Sequence, residues 1–294
     1  MISPVSTVKN LPFIPKYGKI LNGKSGGEMH LYSIASGSSG NSIYVGDGKE
    51  EGILIDAGIS KKKILEGLNK ESIPVEGVKA ICLTHEHRDH VQGLGPFLRT
   101  YGRPVYATEG TIAAIFREEM CGKLDRDMFH VIREDHPVQI GSLEVMPFAI
   151  SHDAAEPVCF TISDGKKKVA VATDMGRYSD YTCSHLEDCD GALVEANYDE
   201  KMLQVGPYPY MLKMRILSEL GHLSNETSGN LIRRLIHKKC KKVMLGHLSL
   251  QNNFPELAFE TVKQELERDM DVWNEGHVSL QVAHRKEPTE VLVV

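Results

Sequence analysis

The segment Ala80-Ile-Cys-Leu-Thr-His85-Glu-His87-Arg-Asp89-His90 constrains this chain more than any other. An apolar, β-rich run stops at Thr84, and His85, His87, Asp89 and His90 follow within six residues. Imidazole and carboxylate are the ligands that Zn²⁺ and related divalent ions prefer. Alternation beyond a strand throws His85 and His87 to one side, where both reach one ion. Asp89 and His90 then open a helix and point toward a second ion. A polar turn with incidental histidines would have no reason to carry ligand types at four of six positions in that alternation.

Other apolar runs end the same way. Leu54-Ile-Asp56-Ala-Gly58, Ile150-Ser-His152-Asp, Ala172-Thr-Asp174-Met-Gly and Met244-Leu-Gly-His247 each deliver one candidate ligand where a β pattern stops. Strands are expected at 29–35, 42–47, 52–56, 78–83, 104–107, 129–133, 138–150, 157–163, 168–173, 191–196, 241–246, 278–283 and 290–294, with turns at Gly141-Ser142 and Asp164-Gly165. Ser60 and Thr108 are expected helix caps. A third helix is expected to bury Leu212, Ile216, Leu217 and Leu220 and to stop at Gly221. Ser224 or Asn225 starts the next, with Leu231, Ile232, Leu235 and Ile236 on one face, and Pro255 suits the first turn of the last. Strand runs followed by helices, repeated in two halves, point to an α/β sandwich. Residues 1–28 mix Pro, Gly, Lys and Ser without periodicity and read as a flexible extension before a single domain at 29–294.

Composition narrows the partners. Lys plus Arg is 34 against 40 for Asp plus Glu, a net charge of −6, so any polyanion must be gripped locally rather than by bulk charge. No apolar run is long enough to span a bilayer, and no secretory leader is apparent. Cys82, Cys121, Cys159, Cys183, Cys189 and Cys240 form no C-x-x-C pair. They read as free thiols in a reducing compartment, which predicts a cytoplasmic protein without membrane contact.

The H-x-H-x-D-H string resembles the signature of the metallo-β-lactamase fold superfamily, and the ordered set from Asp56 to His247 follows that family's motifs. The resemblance implies an αββα four-layer sandwich with a dinuclear metal site at one edge of the two sheets. It assigns His85, His87 and His152 to one ion, Asp89, His90 and His247 to the other, and Asp174 to both. Asp56 would orient the metal-binding loop as an acceptor behind the ligands. His87, where the diiron branch carries Glu, argues for two Zn²⁺ ions, with Mn²⁺ second. Such a pair would bring the pKa of a bridging water from about 16 to near 7, and Asp89 would orient or deprotonate that nucleophile.

Substrate class must come from elsewhere. Gly221-His222-Leu-Ser224-Asn225 resembles a loop of the β-CASP nucleases in which a histidine contacts the scissile phosphate; local sequence also allows a plain helix-cap loop. Only 47 residues separate Asp174 from His222, too few for the inserted domain of that branch. Ser36-Gly-Ser38-Ser39-Gly-Asn41 fits either a phosphate-holding backbone nest or a tight turn. Tyr208 and Tyr210 fit base stacking or loop packing, and Lys213 and Arg215 fit phosphate contacts. The basic run Arg233, Arg234, Lys238, Lys239, Lys241 and Lys242 lies opposite an apolar helix face and reads as solvated. His30, His130, His136, His185, His237, His277 and His284 read as surface or loop residues. Taken together these features resemble the WalJ/YycJ family, which implies 5′→3′ exonuclease action on DNA rather than RNA, with Asp89 and His222 as catalytic residues. A thioester or amide hydrolase on the same metals is the alternative, but it leaves the His222 loop, Lys213 and Arg215 without a role.

Overall fold

The computed structural model describes residues 28–48, 50–268 and 278–294. The extension expected at 1–28 (all but its last residue) and His277 lie outside them. In chain order the strands are β1 (His30–Ala35), β2 (Ser42–Gly46), β3 (Gly52–Ile55), β4 (Val78–Cys82), β5 (Val105–Ala107), β6 (Phe129–Val131), β7 (Val138–Ile140), β8 (Leu143–Ala149), β9 (Val158–Ser163), β10 (Lys168–Ala172), β11 (Gly191–Glu195), β12 (Lys242–Gly246), β13 (Ser279–Val282) and β14 (Leu292–Val293). They form two sheets, ordered β14-β1-β2-β3-β4-β5-β6 and β13-β12-β11-β10-β9-β8-β7. Each expected strand is present, and the 138–150 run folds as the hairpin β7–β8 around Gly141-Ser142.

Strand alternation explains the layers. In β2 and β3, Ile43, Val45, Ile53 and Ile55 face a central core that Phe160, Val171, Leu193 and Met244 complete from the second sheet. Tyr44 and Leu54 on the alternate positions face outward, beneath α1 (Lys61–Lys70), α3 (Leu94–Tyr101) and α4 (Glu109–Glu118), through Ile64, Leu68, Phe97 and Ile115. The second sheet turns Ala170, Ala192 and Val194 toward α5 (Asp180–Leu186), α8 (Asn225–Ile236) and α9 (Pro255–Glu267). Both faces of the central strands are therefore covered, and β2, β3 and β11 read as apolar runs because water reaches neither side of them, whereas β6, β7 and β13 toward the edges keep exposed residues. The result is an αββα sandwich.

Caps follow the sequence. Ser60 accepts from Lys63 N–H, Thr108 from Thr111 N–H and Ser224 from Thr227 N–H, and Pro255 opens α9. The third expected helix is shorter than its apolar pattern suggested. Beyond the short α6 (Glu200–Val205), α7 (Tyr210–Ile216) buries only Ile216, while Leu217 and Leu220 are exposed. After Ile216 the chain turns back on itself: Gly221 N–H donates to Ser218 O at 2.9 Å and His222 N–H to Ile216 O at 3.1 Å. Gly221 is thus a point of close approach, where a Cβ would lie 2.1 Å from Ile216 O, and not a left-handed helix terminus. The six cysteines are buried and free. His185 is not a loop residue: it lies on α5 with its ring stacked on Phe148 at 4.9 Å. In the basic run, Arg234 pairs with Asp180 and Glu187 and Lys239 with Asp190 at the surface. No helix among the described residues is long and apolar enough to cross a membrane.

Candidate metal centre

The parallel runs β3-β4-β5-β6 and β10-β11-β12-β13 end at one edge of the sandwich, and the histidine–aspartate set sits on the loops they launch. Three of those loops start on residues forced into the left-handed region: Asp56 (φ 61°), Asp174 (φ 63°) and His247 (φ 54°). Non-glycine residues there are uncommon, Asp and His tolerate it best, and the conformation turns each side chain across the strand end. Gly58 is needed for a different reason. A Cβ on it would lie 1.6 Å from Asp89 O, so only glycine lets the Asp56 loop lie against α2 (Arg88–Val91), the turn that carries Asp89 and His90.

One half of the centre is imidazole. His85 Nε2 lies 3.0 Å from His87 Nδ1, and His152 Nε2 lies 3.3 Å from that same nitrogen. A tetrahedral ion with arms of about 2.05 Å has edges of roughly 3.3 Å, so these separations are what a shared ion needs. The rings are held from behind: Thr84 Oγ1 is 3.0 Å from His85 Nδ1, and Gly221 O is 3.1 Å from His152 Nδ1. Burial, followed by the nearby His90, pushes the His85 pKa well down, leaving a neutral ring with a lone pair to give.

The other half is rich in carboxylate. Asp174 Oδ2 lies 3.4 Å from His90 Nε2, and its Oδ1 lies 3.4 Å from His247 Nε2 and 3.8 Å from His152 Nε2. Asp89 Oδ2 is 3.6 Å from His90 Nε2 and 3.5 Å from His247 Nε2. Behind the ligands, Asp56 takes His90 Nδ1 at 2.7 Å and both Thr84 N–H and Thr84 Oγ1 at 2.9 Å. Burial opposes a charged ring at His247, yet Asp174, Asp89 and Glu195 outweigh it and raise its pKa to about 10. Burial likewise opposes the charge on Asp174, and His247, His90, His85 and His152 outweigh it and hold its pKa well down. This half is built to surround positive charge.

Two buried atoms fit that reading. Asp174 Oδ2 and His247 Nε2 have no hydrogen-bond partner, although both belong to residues in the centre of the cluster. Unpaired buried polar atoms cost about 1–3 kcal/mol each; Asp174 Oδ2 instead has His90 Nε2 at 3.4 Å, and His247 Nε2 has Asp174 Oδ1 at 3.4 Å and Asp89 Oδ2 at 3.5 Å, separations that suit a shared ion. The groups that could hold an ion include His85–His87–His152, Asp89–His90–His247 and His85–His90–Asp174.

His222 stands beside the carboxylate half, with Nδ1 3.2 Å from Glu195 Oε2 and 3.8 Å from Asp174 Oδ1. It lies two residues before the α8 cap, and it also falls in two ligand-distance groups, with His152 and Asp174 and with Glu195 and His247. The other expected substrate residues divide. Ser38 and Ser39 face solvent. Asn41 is buried: its amide exchanges hydrogen bonds with Gly37, and its N–H donates to Asp89 O at 2.8 Å, which fixes α2. Ser224 is spent as the α8 cap, and Asn225 is buried against Asn253. Lys213 donates to Gln204 O at 2.7 Å, and Arg215 grips Asp153 through Nε and Nη2. Tyr208 packs against the small cluster of Tyr198, Leu203 and Ile216, whereas Tyr210 is exposed.

Sequence reasoning singled out neither Glu195 nor Asn197 as a site residue. Glu195 is fully buried and accepts from Asp174 N–H at 3.1 Å, Met175 N–H at 2.7 Å and Leu223 N–H at 3.0 Å, besides facing His222 and His247. Asn197 Nδ2 donates to His247 O at 2.8 Å. The signal was available: Glu195 is an acid at the end of an apolar strand, as are Asp56 and Asp174.

This sandwich, with its candidate metal ligands on the strand ends, is of the beta-lactamase superfamily type, and the sequence profile of that superfamily's domain matches residues 52–247. Within it the chain belongs to the WalJ/YycJ family. It is 41% identical over 236 residues to exodeoxyribonuclease WalJ of Streptococcus pneumoniae serotype 2, covering 80% of this chain and 87% of that protein. It is 38% identical over 239 residues to exodeoxyribonuclease YycJ of Bacillus anthracis, covering 81% and 89%. Among solved structures, the fold matches the metallo-beta-lactamase fold protein YhfI of Bacillus subtilis with a TM-score of 0.66 at 16% identity, over 91% of this chain and 99% of that one.

Proposed function

We propose that this protein is a metal-dependent phosphodiesterase that removes nucleotides from DNA. The observation that carries the reading is the convergence of His and Asp ligand atoms on Asp174, two of them buried without a hydrogen-bond partner, in a chain whose relatives are exodeoxyribonucleases. His85, His87 and His152 would hold one ion, Asp89, His90 and His247 the other, and Asp174 both; Zn²⁺ suits the imidazole half best, with Mn²⁺ second. Bound there, the ions would supply Lewis acidity and a water acidified enough to attack phosphorus. Asp89, whose carboxyl is held well down by His90 and His247 against the effect of burial, is an acceptor that orients the attacking water. His222, anchored through Nδ1 on Glu195, presents its other ring nitrogen to the phosphoryl oxygen or the leaving group. Action on DNA rather than RNA, 5′→3′ polarity and a cytoplasmic location belong to the same reading. A thioester hydrolase would share the metals but would have no use for His222 in that position. The test is the metal-reconstituted full chain on 5′-labelled DNA, 5′-labelled RNA, bis-p-nitrophenyl phosphate and a glutathione thioester in parallel. Fastest turnover on the DNA strand is expected; fastest turnover on the thioester overturns the reading.

A further inference from the structure

The surface beside the metal centre is apolar in a way folding does not require. Among the described residues, every large exposed hydrophobic side chain except Val131 and Tyr181 lies between residues 205 and 254. α7 is the clearest case: Tyr210 is 72% and Met211 76% exposed, Met214 is exposed one turn on, and only Ile216 is buried. Leu217 and Leu220 continue the exposed series into the turn.

That turn is bonded directly to the metal-binding loop. Leu220 O accepts from Asp153 N–H at 3.2 Å, Gly221 O faces His152 Nδ1 at 3.1 Å, and Glu219 O accepts from Ser151 Oγ at 2.7 Å. Arg215 reaches from α7 to the Asp153 carboxylate, whose other partner is His152 Nε2 at 3.5 Å. The apolar series therefore adjoins the loop that carries His152 and lies next to the candidate metal centre. Its charge balance is positive: Arg215 is matched by Asp153 and Glu219 by Arg177, which leaves the charge of Lys213.

An occupant must offer flat apolar faces together with negative charge. A nucleic-acid strand with its bases unstacked does so; its backbone meets Lys213 while aromatic and thioether groups cover the bases. A second copy of this chain fits worse, because a two-fold contact would set α7 against its own image and bring the two Lys213 charges together. Resting on the nuclease reading above, we propose that Tyr210, Met211, Met214, Leu217 and Leu220 form a platform for unpaired bases of the strand beside the phosphate being cleaved. Bases in a duplex have both faces covered by their neighbours, so the platform engages single strands or opened ends.

The test is binding by the metal-loaded full chain to a labelled phosphorothioate dodecathymidylate and to the same backbone built from abasic units, followed by anisotropy. Wild-type protein is expected to bind the base-bearing strand at least about tenfold more tightly, the scale of one to two stacked bases. The triple variant Met211→Ser/Met214→Ser/Leu217→Ser should shrink that difference to what Tyr210 supplies, while binding the abasic strand as before. The wild-type comparison stands even if the variant misfolds. Equal wild-type affinity for both strands, with DNA still cleaved, overturns the platform and leaves the nuclease reading intact. Failure of the wild type to bind or cleave any DNA strand overturns that reading itself. A wild-type dimer that the triple variant dissociates in sedimentation, with strand binding unchanged, gives the surface to a second copy and also overturns the platform.

Discussion

Strand β11 carries a carboxylate at each end, and the two are treated oppositely. Asp190, just before the strand, sits near the surface, where Lys167 Nζ at 3.2 Å, Lys239 Nζ at 2.9 Å and Lys168 N–H at 3.0 Å meet it. Glu195, at the other end, is buried and accepts three backbone N–H groups besides facing two histidines. Flexible lysines in high dielectric satisfy a charge loosely, and water replaces them at little cost. Fixed N–H groups in the interior specify where each oxygen lies. The carboxyl edge of the sheets is thus the end at which position matters, and the amino edge the end at which charge merely needs an outlet.

The largest expected effect tests whether the carboxyl edge holds ions at all. His85→Ala/His87→Ala should keep its far-ultraviolet circular dichroism, lose metal in elemental analysis, and lose phosphodiesterase activity by on the order of 10⁴-fold, about 5.5 kcal/mol of barrier. Full metal content in that variant would remove the imidazole half from the centre. His222→Ala comes next. It should keep the wild-type metal content and slow DNA cleavage by on the order of 10²–10³-fold, the usual cost of one transition-state donor, while affecting a thioester much less. Loss of a metal equivalent would make His222 a ligand, as its 3.8 Å approach to Asp174 Oδ1 allows.

The grouping of candidate ligands at this edge was legible in the sequence, because each follows an apolar run and His85, His87, Asp89 and His90 are close enough in the chain to constrain one another. The sheets were legible for a related reason: burial on both faces leaves unbroken apolar runs between turn residues. α3 and α5 were not foreseen, since Pro96 interrupts the first and the second has only seven residues. The α7 series misled in a different way. Its apolar spacing suits a core-facing helix, and sequence alone does not say whether water or protein meets such a face. The part played by Asn41 and Asn225 was harder to read, because a polar side chain in a turn looks the same whether it faces a ligand or bonds the backbone behind it.

The third prediction addresses Glu195. Glu195→Gln preserves shape but replaces one acceptor oxygen with an NH₂ group. Whichever oxygen is replaced, at least one backbone N–H then faces a donor, because Met175 and Leu223 share Oε1 while Asp174 and His222 share Oε2. A loss of about 2–3 kcal/mol in urea unfolding is expected, from buried groups left unpaired. A change below about 0.5 kcal/mol would show that these contacts do not position the strand end.

Asp190→Asn is the matching change at the opposite end and should be the smallest. Burial pushes the Asp190 carboxyl up, but Lys239, Lys168 N–H and Lys167 outweigh it and leave its pKa below the ordinary value. A folded pKa below the unfolded value means the carboxylate stabilises the fold at pH values above about 4 and loses that contribution as pH falls through the folded pKa. The wild type should therefore exceed Asp190→Asn by less than about 1 kcal/mol, discounted for solvent screening. Urea midpoints should show that gap unchanged between pH 7 and pH 5 and closing below pH 4. DNA cleavage should be unaffected, since the N-terminal end of β11 has no part in the metal centre. A gap that widens on acidification would mean the lysines do not hold Asp190 ionised. A gap as large as that of Glu195→Gln would erase the contrast between the two ends of the strand.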